Sequence, residues 1–96
     1  MSVYFVVEVE VTDPAAYDRY RPLAADTIAK FGGRYVVRGG KTDLLEGDAE
    51  PKRIVILEFA SAAAFHRWYD SAEYQEALKI RLAASRSRAF LVEGAG

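Results

Sequence analysis

The stretch Gly39-Gly40-Lys41-Thr42-Asp43-Leu44-Leu45-Glu46-Gly47-Asp48-Ala49-Glu50-Pro51-Lys52 decides the fold by what it lacks. It joins two strand-like runs, Arg34-Tyr35-Val36-Val37-Arg38 and Arg53-Ile54-Val55-Ile56-Leu57-Glu58-Phe59. A doubly wound parallel sheet needs a crossover helix at this point. The segment is too rich in Gly, Asp and Pro to supply one. The two strands therefore pair antiparallel. Lys41 to Glu46 reads as a continuation of the second strand beyond a bulge at Gly39-Gly40, because glycine within a strand pattern marks such a bend. Gly47 to Pro51 is the turn.

Upstream, Val3 to Val11 alternates like a strand, with Val3, Phe5, Val7, Val9 and Val11 on one face. Asp13 caps a helix, with Pro14 at its first position. Tyr17, Tyr20, Ala24, Ile28 and Phe31 then recur at helical spacing. Pro22 is expected to bend this helix, and Gly32-Gly33 ends it. Downstream, Ser61 opens a short helix through Phe65, Trp68 and Tyr69. Ser71 caps another, with Tyr74, Ala77, Leu78, Arg81 and Leu82 on one face. Arg88 to Glu93 is the last strand. The order is strand, helix, strand, strand, helix, strand. That is the βαββαβ pattern of an α+β ferredoxin-like sandwich, with an antiparallel sheet and helices on one face. Residues 1–96 form one such domain.

The other face of the sheet is then open. Tyr4, Val6, Glu8 and Glu10 fall on it, as do Ile54, Ile56 and Glu58. It is too apolar for open water, yet it carries carboxylates. Glu8 and Glu58 are expected to lie near each other on adjacent central strands. A covered carboxylate needs a partner, since an unpaired buried charge costs several kcal/mol. Arg34, Arg38 and Arg88 are the candidates. Two readings follow: an ion-pair network that staples a dimer, which is preferred, or a polar pocket lined by acid, base and Tyr4.

Composition narrows the function classes. The chain is 51% hydrophobic and 28% charged, which is ordinary for a globular domain. A net charge of -1 with no dense Lys/Arg run argues against nucleic acid or an anionic membrane as partner. The absence of cysteine excludes disulfides and thiol catalysis, and a single histidine excludes a His-rich metal site. No metal and no cofactor is expected. The N-terminal apolar run is broken by Glu8 and Glu10 and reads as a strand, not a signal peptide. A cytoplasmic location is expected.

Several residues carry a second reading. His66 is the one side chain of a type that ordinarily titrates near neutrality, but it lies off the stripe of Phe65, Trp68 and Tyr69, so a surface position is preferred to catalysis or haem ligation. Trp68, Tyr69 and Tyr74 wall a core more readily than a pocket. Tyr17 and Tyr20 read the same way, their hydroxyls reaching a pocket rim. Arg38-Gly39-Gly40 offers backbone N–H groups to an anion, but without the context of a phosphate loop. Arg81, Arg86 and Arg88 cluster at the end of the last helix, where cations suit the dipole. Arg81 sits on the apolar stripe and must pair; Glu46, Glu58 and Glu93 are the expected partners.

The residues Tyr17, Tyr20, Gly32-Gly33, Arg38-Gly39-Gly40, Leu45-Glu46-Gly47, Arg53, Glu58-Phe59, Trp68-Tyr69, Ser71, Tyr74-Gln75, Arg81 and Val92-Glu93-Gly94 resemble the domain of unknown function 1330 family over nearly the whole chain. Where that family often has Pro after the serine, this chain has Ala72. The resemblance implies membership of the dimeric α/β-barrel superfamily, in which two ferredoxin-like sheets close face to face. Small monooxygenases, haem-degrading enzymes and members without known activity share that superfamily. A homodimer is therefore expected. One functional reading is a small-molecule enzyme of the cofactor-independent monooxygenase, isomerase or lyase type. In it, Glu8, Glu58 and His66 are the candidate catalytic groups, and Tyr4, Arg38, Trp68, Tyr69 and Arg81 the candidate ligand contacts. The other is a noncatalytic ligand-binding or dimerisation module.

Overall fold

The computed structural model describes residues 1–96 and has the expected order. The elements are β1 (Val3–Val11), α1 (Pro14–Lys30), β2 (Arg34–Arg38), β3 (Arg53–Phe59), α2 (Ala62–Tyr69), α3 (Ala72–Ala84) and β4 (Ser85–Glu93). The sheet runs β2-β3-β1-β4, with every neighbouring pair antiparallel. This is the ferredoxin-like α+β fold. The molecule is a slab only 16 Å through its thinnest axis, which fits one sheet under one layer of helices. No helix is long and apolar enough to cross a membrane.

Local chemistry sets the helix ends. Ala16 N–H donates to the Asp13 carboxylate at 3.2 Å, Ala64 N–H to the Ser61 hydroxyl at 3.1 Å, and Tyr74 N–H to the Ser71 hydroxyl at 3.1 Å. Pro22 faces solvent inside an uninterrupted α1. The turn after α1 brings Gly33 against the ring of Phe59, where a Cβ would overlap it.

The parity of β1 holds. Val3, Phe5, Val7 and Val9 are buried against the helices, together with Leu57 and Phe59 of β3. Phe65 and Trp68 of α2 pack on Phe5 and Phe59. The Trp68 indole N–H donates at 3.0 Å to the Thr27 hydroxyl, which itself donates to the Ala24 carbonyl at 2.9 Å. That bond satisfies the one polar atom of a fully buried tryptophan and ties α2 to α1.

Three boundaries differ from expectation. β2 ends at Arg38, and residues 41–46 form no strand. Gly39 adopts φ +66° and makes one last sheet bond, its N–H donating to the Ile54 carbonyl at 2.8 Å. A left-handed residue turns the chain away, so the pairing stops there. The bulge lies earlier, between Tyr35 and Val37. At the other end, β4 begins at Ser85. Arg86 and Arg88 are therefore strand residues opposite Glu10 and Glu8, not helix-terminal cations. Leu82 is 60% exposed and does not join the stripe of α3.

Candidate functional site

A cleft opens between α1 and the helix-facing side of the sheet. Phe5, Val7 and Val9 of β1 and Val55 and Leu57 of β3 form its floor. Tyr17, Tyr20, Arg21 and Ile28 of α1 form its roof, with Tyr35 and Arg38 of β2 at one side and Trp68 and Arg81 at the other. Arg53 completes the lining. The walls enclose about 460 Å³ including the mouth, of which about 30 Å³ admits the centre of a water-sized sphere. That is room for about two waters as the side chains stand.

The charged groups in the cleft are all of one sign. Four arginines line it, and no Asp, Glu or His does. Arg21 pairs with Asp18 at 3.7 Å on the surface of α1. Arg38, Arg53 and Arg81 take part in none of the molecule's ion pairs. The Arg38 guanidinium lies 4.2 Å from the centre of the Tyr35 ring, a cation–π distance. The Arg53 guanidinium rests where a side chain on Gly39 would be. Arg81, on α3, is 3% exposed and donates to the Ser87 hydroxyl at 3.1 Å.

Phenols supply the remaining polarity. The hydroxyls of Tyr20 and Tyr74 meet at 2.8 Å. Burial pushes the Tyr20 phenol up strongly, with Tyr74 adding to the rise and Arg81 opposing it. Burial likewise raises Tyr74 and Tyr35, against the lowering charges of Arg81 and Arg38 respectively. All three are protonated at neutral pH and act as hydrogen-bond donors, not bases. The cleft can thus hold negative charge and donate protons in hydrogen bonds, but it contains no carboxylate or imidazole to accept one.

The expected site residues divide between two faces. Arg38, Trp68 and Arg81 reach the cleft. Tyr4, Glu8 and Glu58 lie on the opposite, open face. There Glu58 accepts from Tyr4 at 3.2 Å and from Arg34 Nε at 2.6 Å. Hydrogen bonds from the Ser2 hydroxyl and then Arg34 hold its carboxyl below the usual range. Glu8 stands opposite Ile54, while Glu58 stands opposite Tyr4. The two acids are separated along the strands, contrary to expectation. Arg38 cannot answer either one, because the bulge in β2 leaves it level with Val55 on the helix side. Nor does Arg81 meet Glu46, Glu58 or Glu93; the hydroxyls of Ser87 and Tyr74 face it instead. His66 is exposed, with Nδ1 3.6 Å from Asp70 and its ring edge-on to Phe65. Tyr69 packs against Phe5, Phe65 and Tyr74, and its carbonyl accepts from Gln75.

Three polar cleft residues have no site role in the sequence: Arg21 and Tyr35, and Arg53, which enters there only through the family resemblance. A signal existed for Arg53. It shares the parity of Val55, Leu57 and Phe59, so it belongs to the apolar face. Tyr35 had no such signal, because the bulge that sets its neighbours is not visible in the sequence.

The family profile of the domain of unknown function DUF1330 matches residues 2–95. The chain belongs to the DUF1330 family. No curated protein matches it. Among solved structures, a protein of unknown function from Rhodopseudomonas palustris superposes with a TM-score of 0.82 at 24% identity, covering 99% of this chain and 83% of that one. SnoaB, a cofactor-independent oxygenase from Streptomyces nogalater, gives 0.71 at 23% identity, over 99% and 94% of the two chains. A dimeric ferredoxin-like protein of unknown function from Jannaschia gives 0.71 at 19% identity, over 98% and 100%. At these identities the likeness is one of fold. This DUF1330 chain shares the single-sheet architecture of all three.

Proposed function

We propose that this DUF1330 protein is a small-molecule enzyme of the cofactor-independent oxygenase, isomerase or lyase type, and that it works in the cleft between α1 and the sheet. The observation that carries the reading is the set of three arginines without carboxylate partners in an otherwise apolar cleft. Such a site stabilises a substrate anion that has lost its proton to solvent before it enters, the species through which oxygenation, isomerisation and elimination proceed when the substrate supplies its own electrons. The fold shared with SnoaB supports the same reading. On it, Arg38, Arg53 and Arg81 hold the anion, Tyr20 and Tyr35 donate to it, and Trp68 and Tyr17 flank its body. Glu8, Glu58, Tyr4 and His66 stand outside the cleft and serve the structure.

The test is oxygen uptake and product analysis by mass spectrometry with a panel of hydroxyquinones and 1,3-diketones acidic enough to be ionised at the assay pH. Turnover that falls at least about tenfold in Arg53→Gln, with the fold intact, is expected. A panel bound but returned unchanged overturns the enzymatic reading. The noncatalytic binding module is then the better one, and the lack of any base in the cleft already favours it in part.

We also propose a homodimer formed through the open face, in a cytoplasmic setting consistent with the absence of cysteine. An apolar row crosses all four strands there, from Val37 through Ile56 and Val6 to Phe90. The dimeric state of the Jannaschia protein supports a dimer.

A further inference from the structure

Arg81 keeps a permanent charge at 3% exposure without a carboxylate in reach. Burying a guanidinium unpaired carries an effective penalty of several kcal/mol, and a fold normally answers it with an acid. Here the answer is neutral hydroxyls alone, those of Ser87 at 3.1 Å and of Tyr74. The Arg81 Nε–H has no partner at all. The Arg53 Nε–H is in the same state, and these two are the molecule's buried side-chain polar atoms without a hydrogen bond. Both residues line the same cleft. Native structures leave few such groups unsatisfied, and those few call for a missing partner.

The chemistry of that partner is constrained from four sides. It must be negative, because the cleft contains arginines and no acid. It must arrive already ionised, because no cleft residue can take its proton at neutral pH. It must be slim, because the free space holds about two waters as the side chains stand, and a larger body enters only as the side chains at the mouth give way. Its body must be apolar and conjugated, because the rings of Tyr17, Tyr35 and Trp68 form the walls. A guanidinium presents Nε–H and Nη–H as a planar fork that matches a carboxylate.

We infer that the cleft is a binding site for a planar aromatic or conjugated carboxylate, whose oxygens take the free N–H groups of Arg53 and Arg81. The inference rests on the cleft being the working site and names the class of molecule that enters it. Gly39 is part of the device. Its lack of a side chain leaves the space in which the Arg53 guanidinium lies.

Trp68 is the only tryptophan and lines the cleft, so its fluorescence reads occupancy directly. Titration with benzoate and cinnamate, each against its neutral amide, is the test. Saturable quenching or shift by the acids is expected, at concentrations at least about tenfold below those of the amides, as one charge-assisted hydrogen bond implies. Arg53→Gln is expected to weaken the acids about tenfold or more, and Arg86→Gln, on the open face, to leave them unchanged. Equal binding of acid and amide overturns the inference. So does an unchanged affinity in a folded Arg53→Gln, or no saturable response to either acid at millimolar concentration. Binding of the acids without turnover of any substrate retains the inference and removes the enzymatic reading. Turnover confined to neutral substrates does the reverse.

Discussion

The Tyr20–Tyr74 hydroxyl pair shows how burial turns a reactive group into a structural one. Burial raises both phenols above their ordinary value near 10, so the folded protein holds them neutral where the unfolded chain would ionise them. The stability they lend is complete below the unfolded value and is lost as pH rises above it toward the folded values. Alkaline titration followed by phenolate absorbance should therefore fall short of all six tyrosines at about pH 11. The remainder should appear together with loss of the native circular dichroism. Full ionisation in the native state would contradict the buried pair. Sequence spacing put Tyr20 on the buried side of its helix, but not its partner. Tyr74 is 54 residues away, and only the packing of α1 on α3 brings the hydroxyls together.

At the scale of elements, β2 and the residues after it decide the shape of the cleft. A bulge between Tyr35 and Val37 returns Arg38 to the helix side. The left-handed Gly39 then ends the strand and makes room for Arg53. Gly39→Ala tests both jobs. A non-glycine residue in this conformation costs about 1–2 kcal/mol, and its Cβ displaces a flexible guanidinium. Urea unfolding should show a loss of about that size, and the carboxylate response of Trp68 should weaken as in Arg53→Gln. Retained affinity in the alanine variant would free Gly39 from any role in placing Arg53. The sequence places a bulge among these residues but three or four positions late, at Gly39-Gly40 and not at Val36. Gly39-Gly40 advertises a bend, whereas the bulge is imposed by pairing with β3, which local composition does not encode.

The whole molecule presents two faces with different chemistry. The helix side closes over a core and an arginine cleft. On the open side Glu58 pairs with Arg34, and Lys52 answers Glu10 with its ammonium and Glu8 with its backbone N–H, while Arg86 and Arg88 stand in register across from Glu10 and Glu8 around an apolar row. Phe90 and Val92 are each 46% exposed on it. Light scattering should give a mass twice that of the 10.7 kDa chain. Phe90→Glu places a charge in the row and should shift the protein to monomer. Because Phe90 is half exposed in the isolated chain, the monomer's own stability should change by no more than about 0.5 kcal/mol. A wild-type monomer would sink the dimer, and a dimeric Phe90→Glu would move the interface elsewhere.

Strand alternation, helix spacing, caps and the helix-free link between β2 and β3 were sufficient to determine the ferredoxin-like fold, the valine face of β1 and the open face behind it. These are short-range properties, written in residue types a few positions apart. The location of the cleft was decided by tertiary structure alone. Arg38, Arg53 and Arg81 come from two strands and a helix far apart in the chain, and one bulge settles which face Arg38 serves. What the sequence presented as acids awaiting arginines became two separate systems. On the open face Arg34 answers Glu58 and Lys52 answers Glu8 and Glu10, while three other arginines line the cleft without a carboxylate.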